Sequence, residues 1–86
     1  MRLRHLEIAW RPNSKGHARI GIVVPRYGLS AVARNRLRRR VREILRRDLL
    51  PGLPAIDLVV RTRRAAYAAR FAVLRSELAD GASRLS

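Results

Sequence analysis

The stretch SAVARNRLRRRVREILRR, from Ser30 to Arg47, decides how this chain folds. Apolar residues recur in it at helical spacing, and most other positions are arginine, opposed by a single acid, Glu43. The apolar set is Ala33, Leu37, Val41, Ile44 and Leu45. The pattern predicts a helix over residues 30–48, with Ser30 as its N-cap, that packs one side on a core. Its other side must meet solvent or an anion.

The outward side of this helix carries a neutral amide among guanidinium groups. At about 100° per residue, Asn35, Arg39, Arg42 and Arg46 fall opposite the apolar set, and Arg38 lies on the flank. Guanidinium groups stay charged at physiological pH and donate in a planar fork to phosphate oxygens. This face therefore predicts a surface that binds the phosphates of a nucleic acid.

Two short strands are predicted before the helix. Alternating side chains indicate one strand over residues 5–11, with Leu6, Ile8 and Trp10 on one face, and a second over residues 18–24. The residues between them are rich in Pro, Asn, Ser and Gly, which favours a reversal of the chain. We therefore expect the two strands to form an antiparallel hairpin.

A further strand and helix are predicted after the arginine helix. A nearly continuous apolar run over residues 56–62 is typical of a central strand covered on much of both faces. A second helix is expected over residues 66–79, with Asp80 and Gly81 as its stop signal. The order predicts one α+β domain, residues 1–86, in which two helices pack on a small mixed sheet made of the hairpin plus one strand.

Composition limits the classes of function. A net charge of +14 on 86 residues indicates a polyanionic partner, with nucleic acid as the first candidate and a membrane-surface role for a cationic helix as a weaker one. Six scattered carboxylates and no cysteine offer no catalytic centre and no metal site, and His5 and His17 are expected to be solvated. No signal peptide or membrane span is expected, and we expect a cytoplasmic location.

The run from Gly21 to Glu43, GIVVPRYGLSAVARNRLRRRVRE, resembles the signature of the bacterial ribonuclease P protein subunit. In that family, a strand and a basic loop lead to Ala-Val-x-Arg-Asn-Arg-φ-Lys/Arg-Arg-x-φ-Arg-Glu, where φ is apolar. The segment from Ala31 to Glu43 matches this motif in order and without a gap. The later segment from Asp57 to Arg61 resembles the family's next strand, and the similarity extends over about residues 6–79.

The resemblance implies a protein that binds the catalytic RNA of ribonuclease P and assists removal of the 5′ leader from precursor tRNA. Hydrolysis would be performed by that RNA with its Mg²⁺ ions, so no catalytic residue, no metal ligand and no protein partner is expected in this chain. The family motif implies RNA contact by Arg34, Asn35, Arg36, Arg38, Arg39 and Arg42, and the helical face adds Arg46. The family fold also implies a left-handed crossover between the second and third strands, against the general preference.

The chain departs from the family pattern at two places. Family members begin with an additional helix whose aromatic residues close one side of a cleft for the single-stranded leader, and the sequence before the first strand has no counterpart, so an incomplete cleft is expected. Trp10 is a candidate for stacking on a leader base, with core packing as the alternative.

Tyr27 stands where the family usually has a basic residue. The alternative function is a generic basic RNA- or DNA-binding module of ribosomal type.

Overall fold

The computed structural model describes residues 1–84. The strands and α-helices follow one another as β1 (Leu6–Pro12), β2 (Arg19–Val23), α1 (Ala31–Ile44), β3 (Ile56–Thr62) and α2 (Phe71–Ser83). A π-helical segment (Leu45–Leu49) and a 3-10 turn (Leu50–Gly52) extend α1, and a second 3-10 segment (Arg64–Ala68) precedes α2. The α+β class predicted from the sequence, a small mixed sheet with two helices, is confirmed.

The strands of the sheet lie in the order β1-β3-β2. β1 pairs antiparallel with β3, from Leu6 opposite Thr62 to Pro12 opposite Ile56, and β2 pairs parallel with β3. The predicted hairpin is therefore wrong: the chain does reverse between β1 and β2, but β3 lies between them. The central place suits β3 because its run of apolar side chains gains strand neighbours on both sides. The handedness of the crossover from β2 through α1 to β3 stays a prediction.

Both helices cover the same face of the sheet. Leu6 and Ile8 of β1 and Leu58 and Val60 of β3 are at most 2% exposed, and they form one core with apolar residues of α1 and α2. On the opposite face, Val59 is 42% exposed. The predicted central position of β3 is confirmed, but the expected cover on much of both faces is wrong, because both helices pack on the same face of the sheet. The uncovered side is called the open face below.

The arginine helix begins as predicted and ends differently. The Ser30 hydroxyl oxygen accepts a hydrogen bond from the Ala33 backbone N–H at 3.2 Å, which is N-cap geometry. The α-helix stops at Ile44, short of the predicted residue 48, and the chain winds on as the π segment. That wider turn keeps both Leu45 and Leu49 buried, at 1% and 6% exposed. Within the described residues 1–84, no helix is long and apolar enough to cross a membrane.

The second helix differs from its predicted span, residues 66–79, at both ends. Its expected first turn is instead the 3-10 segment, where the Tyr67 hydroxyl donates to the Pro25 carbonyl oxygen at 2.8 Å. Two residues of extended backbone then separate that segment from α2. At the other end α2 continues past the predicted stop, because Gly81 is buried against Ile8 and does not serve as a cap.

Candidate nucleic-acid interface

α1 places the predicted arginine side chains according to its helical period. Its inner side buries Leu37, Val41 and Ile44 in the core. Its outer side exposes Asn35, Arg39 and Arg42, and Arg46 of the π segment is exposed as well. The sequence-based face is therefore present as one continuous stripe, called the arginine stripe and defined by Asn35, Arg39, Arg42 and Arg46. Its length and charge suit a run of successive phosphates.

The other three predicted RNA-contacting residues lie beside the stripe in different settings. Arg36 is exposed. Arg34 is partly buried, and its Nε donates to the Val24 carbonyl oxygen at 3.3 Å, so that this guanidinium also holds the end of β2 against the helix. Arg38 is partly buried and donates from Nη1 to Oδ1 of Asn35 at 3.3 Å. The amide of Asn35 is thereby oriented by a neighbouring cation.

Most arginines of the segment 30–47 have no counter-charge. In the described chain, no hydrogen bond or ion pair engages the side chains of Arg36, Arg39, Arg40, Arg42 and Arg46. Five of the six carboxylates are engaged in the pairs Glu7–Arg2, Glu77–His5, Asp57–Arg19, Asp48–Arg75 and Glu43–Arg47. Of these pairs, the last alone involves a residue of α1, Glu43, which pairs with Arg47 of the π segment. The helix therefore presents uncompensated positive charge, which attracts a polyanion.

Trp10 is exposed on the sheet, away from the arginine stripe. Its exposed fraction is 45%, so the alternative of core packing is wrong. The side chain lines a cavity of about 410 Å³ that crosses all three strands, together with Ala9, Gly21 and Val59. Periodicity placed Trp10 on the same face as Leu6 and Ile8, but the cover of the helices does not extend to this end of β1.

Charged residues border the same cavity. Arg19 donates from Nε and Nη2 to the two carboxylate oxygens of Asp57, each at 2.8 Å, and Asn13 Nδ2 donates to Oδ1 at 3.0 Å. Arg11 Nε lies 3.6 Å from the same carboxylate. The hydrogen bonds from Arg19, with those of Asn13 and the nearby positive charges, hold the pKa of Asp57 well below its usual range against the opposing effect of desolvation. Asp57 is thus a fixed anion that orients two arginines.

The two histidines do not form a site. His5, expected to be solvated, is instead packed against α2: its backbone N–H donates to Oε1 of Glu77 at 3.0 Å, and its Nδ1 lies 3.1 Å from Oε2. Both side chains are only 13% exposed. His17 lies on the exposed turn before β2, with Nδ1 3.1 Å from the Lys15 carbonyl oxygen. Residues 1–84 contain no group of three or more His, Cys, Asp or Glu residues able to hold a metal ion.

Known proteins similar to this chain agree on one family. The family model described as Ribonuclease P matches residues 1–86. The "Ribonuclease P protein component" of Marinobacter nauticus is 40% identical over 78 residues, which is 90% of this chain and 58% of that protein. The protein of the same name from Thermus scotoductus is 44% identical over 69 residues, 79% of this chain and 41% of that protein. The chain thus spans about half the length of these curated relatives.

Solved structures agree with this fold. The ribonuclease P protein from Thermotoga maritima, solved in complex with 1-(4-fluorophenyl)-2-thiourea, superposes with a TM-score of 0.88 at 30% sequence identity, covering all of this chain and 84% of that one. The Staphylococcus aureus ribonuclease P protein gives a TM-score of 0.82 at 23% identity, over 99% of this chain and 77% of that one, and supports the fold alone.

Proposed function

The chain belongs to the ribonuclease P protein family, and from this premise we propose that it is the protein subunit of the ribonuclease P endoribonuclease. In this proposal it binds the catalytic RNA of that enzyme in the cytoplasm and assists removal of the 5′ leader from precursor tRNA. The observation that carries the proposal is the uncompensated positive charge of Arg39, Arg42 and Arg46 along the exposed arginine stripe, with Arg36 exposed beside it.

The arginine stripe is the proposed contact with ribonuclease P RNA. Its side chains, with Arg34, Arg36 and Arg38 beside it, can donate to phosphate oxygens or stack on unpaired bases. In regular A-form RNA the major groove is too deep and narrow for side chains to reach the bases. The helix is therefore expected to recognise the backbone and an irregular folded shape, and not a paired sequence.

The cavity that Trp10 lines together with residues of the open face of the sheet is the proposed contact with the single-stranded leader. Trp10 offers an exposed aromatic plane for stacking, and Arg11 and Arg19 place positive charge next to it. Asp57 keeps these two guanidinium groups in place through the ion pairs described above. Stacking on one aromatic residue is tolerant of sequence, which suits leaders that differ between precursor tRNAs.

The Mg²⁺ ions of the proposed reaction are assigned to the RNA. Magnesium in proteins is bound by oxygen ligands, chiefly one or two carboxylates with water and substrate phosphates. Here the carboxylates are separated and mostly committed to basic partners, as at Asp57 and Asp48. The side chains of residues 1–84 therefore do not fit a magnesium site. Their proposed role is to bind and orient RNA.

The test measures cleavage of precursor tRNA by a ribonuclease P RNA with and without the protein. We expect the protein to lower the Mg²⁺ concentration needed for cleavage, because its cations replace part of the ionic screening of the RNA phosphates. A matched control uses the variant with Arg36→Ala and Arg39→Ala, which should be less effective. Unchanged cleavage, together with equally tight binding to unrelated RNA, would overturn the proposal in favour of a generic RNA-binding module.

A further inference from the structure

A groove lies between β2 and the arginine helix, where the stripe ends. Its apolar lining comes from Ile20 and Ile22 on the inner face of β2 and from Leu45 of the π segment. Arg42 and Arg46, the last two residues of the arginine stripe, line the same groove. Its volume is about 210 Å³. Apolar walls thus meet exposed, uncompensated cations at a single place.

The chemistry of the groove favours an aromatic ring that carries negative charge nearby. The volume lies below the roughly 300–1,000 Å³ typical of small-molecule sites, so the space suits a single flat ring system. Guanidinium groups stack on aromatic planes and also bind phosphate, so Arg42 and Arg46 can hold both parts of one nucleotide. The larger cavity beside Arg75, about 510 Å³, lacks this feature because Arg75 is paired with Asp48.

The backbone beside the groove adds hydrogen-bonding capacity. In the described chain β2 pairs only with β3, so it is an edge strand. Alternate N–H and C=O groups of an edge strand point outward without a partner strand. Such groups can hydrogen-bond to the polar edge of a nucleobase. An aliphatic or purely apolar occupant would bury them without hydrogen-bond partners, which costs free energy. A base is therefore a better occupant than a lipid chain.

We propose that this groove binds one unpaired nucleobase of the RNA whose backbone lies along the arginine stripe, with Arg42 and Arg46 holding the nucleotide and Ile20 and Ile22 contacting the base. The inference rests on the proposed RNA-binding function and adds to it a site for a single extruded base. The stripe then fixes the RNA by charge, and the groove selects RNA that has an unpaired nucleotide at the right distance.

The experiment compares two short RNA hairpins that differ by one nucleotide. One has an unpaired 2-aminopurine nucleotide in its stem, and the other has the same stem fully paired. The wild-type protein should bind the first about tenfold more tightly, as expected for one base held against a guanidinium group and apolar side chains. Fluorescence of the 2-aminopurine should change on binding. Equal affinity for the two hairpins would overturn the proposal whether or not the protein acts in ribonuclease P.

A variant that fills the groove distinguishes the contribution of the groove to RNA binding from that of the charge on the arginine stripe. Ala18 also lines the groove, and Ala18→Leu occupies the space while leaving the net charge unchanged. It should lose the preference for the unpaired nucleotide and bind ribonuclease P RNA about tenfold more weakly, with the same dependence on salt. Thermal unfolding checks that the variant folds. If it does not fold, the affinities of the wild-type protein for the two hairpins test the proposal.

The failure of this inference and that of the proposed function have different signatures. If the wild-type protein prefers the unpaired nucleotide but does not assist a ribonuclease P RNA, the base-binding groove is supported and the proposed function is overturned. If the wild-type protein assists cleavage and Ala18→Leu binds ribonuclease P RNA as tightly as wild type, the proposed function is supported and the base-binding groove is overturned.

Discussion

Gly81 allows α2 to lie close to β1. A methyl carbon built on this residue would lie 2.7 Å from Cδ1 of Ile8 and 3.3 Å from Cδ1 of Leu3. Ile8 is 2% exposed and so has little room to move. In a helix interior glycine normally costs about 1 kcal/mol relative to alanine. Here that cost is offset by the close packing that a glycine permits.

We predict that Gly81→Ala destabilises the protein although alanine favours helix. The extra carbon overpacks the core, which costs about 1–3 kcal/mol, and the gain in helix propensity returns about 1 kcal/mol. The net effect should be a loss of up to about 2 kcal/mol in the free energy of unfolding, measured by urea denaturation. Ala79→Gly, at an exposed position of the same helix, is the control and should lose about 1 kcal/mol through propensity alone. A more stable Gly81→Ala variant would show that Ile8 can move aside.

Asp57 predicts a specific dependence of stability on pH. The hydrogen bonds from Arg19 and Asn13 hold the pKa of the folded carboxyl well below the roughly 3.9 of an unfolded aspartate. A folded pKa below the unfolded one means that the carboxylate stabilises the fold at every pH above the unfolded pKa. This stabilisation is lost as the pH falls from about 4 towards the folded pKa.

The prediction compares wild type with Asp57→Asn by urea denaturation at pH 7, 5 and 3. The wild type should be more stable at pH 7 and pH 5 by the same margin, and this margin should shrink at pH 3. Asp80→Asn is the control, because no ion pair is found for Asp80 within residues 1–84. A margin independent of pH would mean that the arginine pairs contribute nothing through ionisation.

At the scale of elements, the sequence pattern predicted those helices and strands whose positions depend on burial of one side of a single element. The alternation of Leu6 and Ile8 and the helical period of Leu37 and Val41 reflect burial on one side of a single element, so the strands and α1 lie close to where they were expected. The π segment, the break before Phe71 and the passage of α2 through Gly81 depend on contacts with other elements. No pattern within a window of the sequence could indicate them.

The arginine stripe was predictable for the same reason, whereas the groove beside it was not. Arg39 and Arg42 oppose the apolar side of their own helix, which the period alone reveals. Ile20 and Ile22 have the pattern of core residues, and only the edge position of β2 leaves them partly uncovered. Trp10 is exposed for a similar reason, because helix cover ends before it.

The outward side of α1 should contribute to RNA affinity through charge and little to stability. We predict that Arg36→Ala with Arg39→Ala weakens binding to ribonuclease P RNA and reduces the slope of log K against log salt by about 2, since each phosphate contact releases roughly one counterion. Arg2→Ala with Arg75→Ala removes two equal charges that are already paired with Glu7 and Asp48, and it serves as the control.

Circular dichroism and filter binding over a range of salt concentrations give the two readouts. The variant with Arg36→Ala and Arg39→Ala should keep the wild-type spectrum, because neither substituted side chain has a partner within residues 1–84. Equal salt slopes for this variant and the control would place the RNA on another surface. Unfolding of the variant would show that these arginines are structural.

At the scale of the whole molecule, sheet order explains where function can lie. With β3 central and both helices on one face, the other face is left to solvent, and β2 is left as an edge beside the arginine helix. The apolar run of β3 predicted a central strand, but the predicted hairpin of β1 and β2 would have placed β3 at an edge and given a different set of exposed strands. The order of strands depends on contacts between distant residues, and this is why periodicity did not reveal it.

Excess charge makes the stability of the isolated protein depend on salt in a direction that can be predicted. The net charge is +14, and the molecule measures 37 × 21 × 21 Å. Raising the NaCl concentration from 0.01 to 0.1 M shortens the screening length from about 30 to about 10 Å, so repulsion across the molecule is screened. The same salt weakens exposed ion pairs such as Arg2–Glu7, but these are worth little individually.

We therefore predict that the melting temperature rises over this range of NaCl. A gain of about 1 kcal/mol corresponds to a rise of roughly 4–8 °C for a domain of this size. The variant with Arg36→Ala and Arg39→Ala should melt higher than wild type at 0.01 M and show a smaller rise, because it has already lost part of the repulsion. A melting temperature that falls as salt is added would mean that the ion pairs outweigh the repulsion. In that case charge repulsion would destabilise the free protein less than its ion pairs stabilise it. Binding of a polyanion to the arginine stripe would then not be favoured by relief of repulsion within the fold.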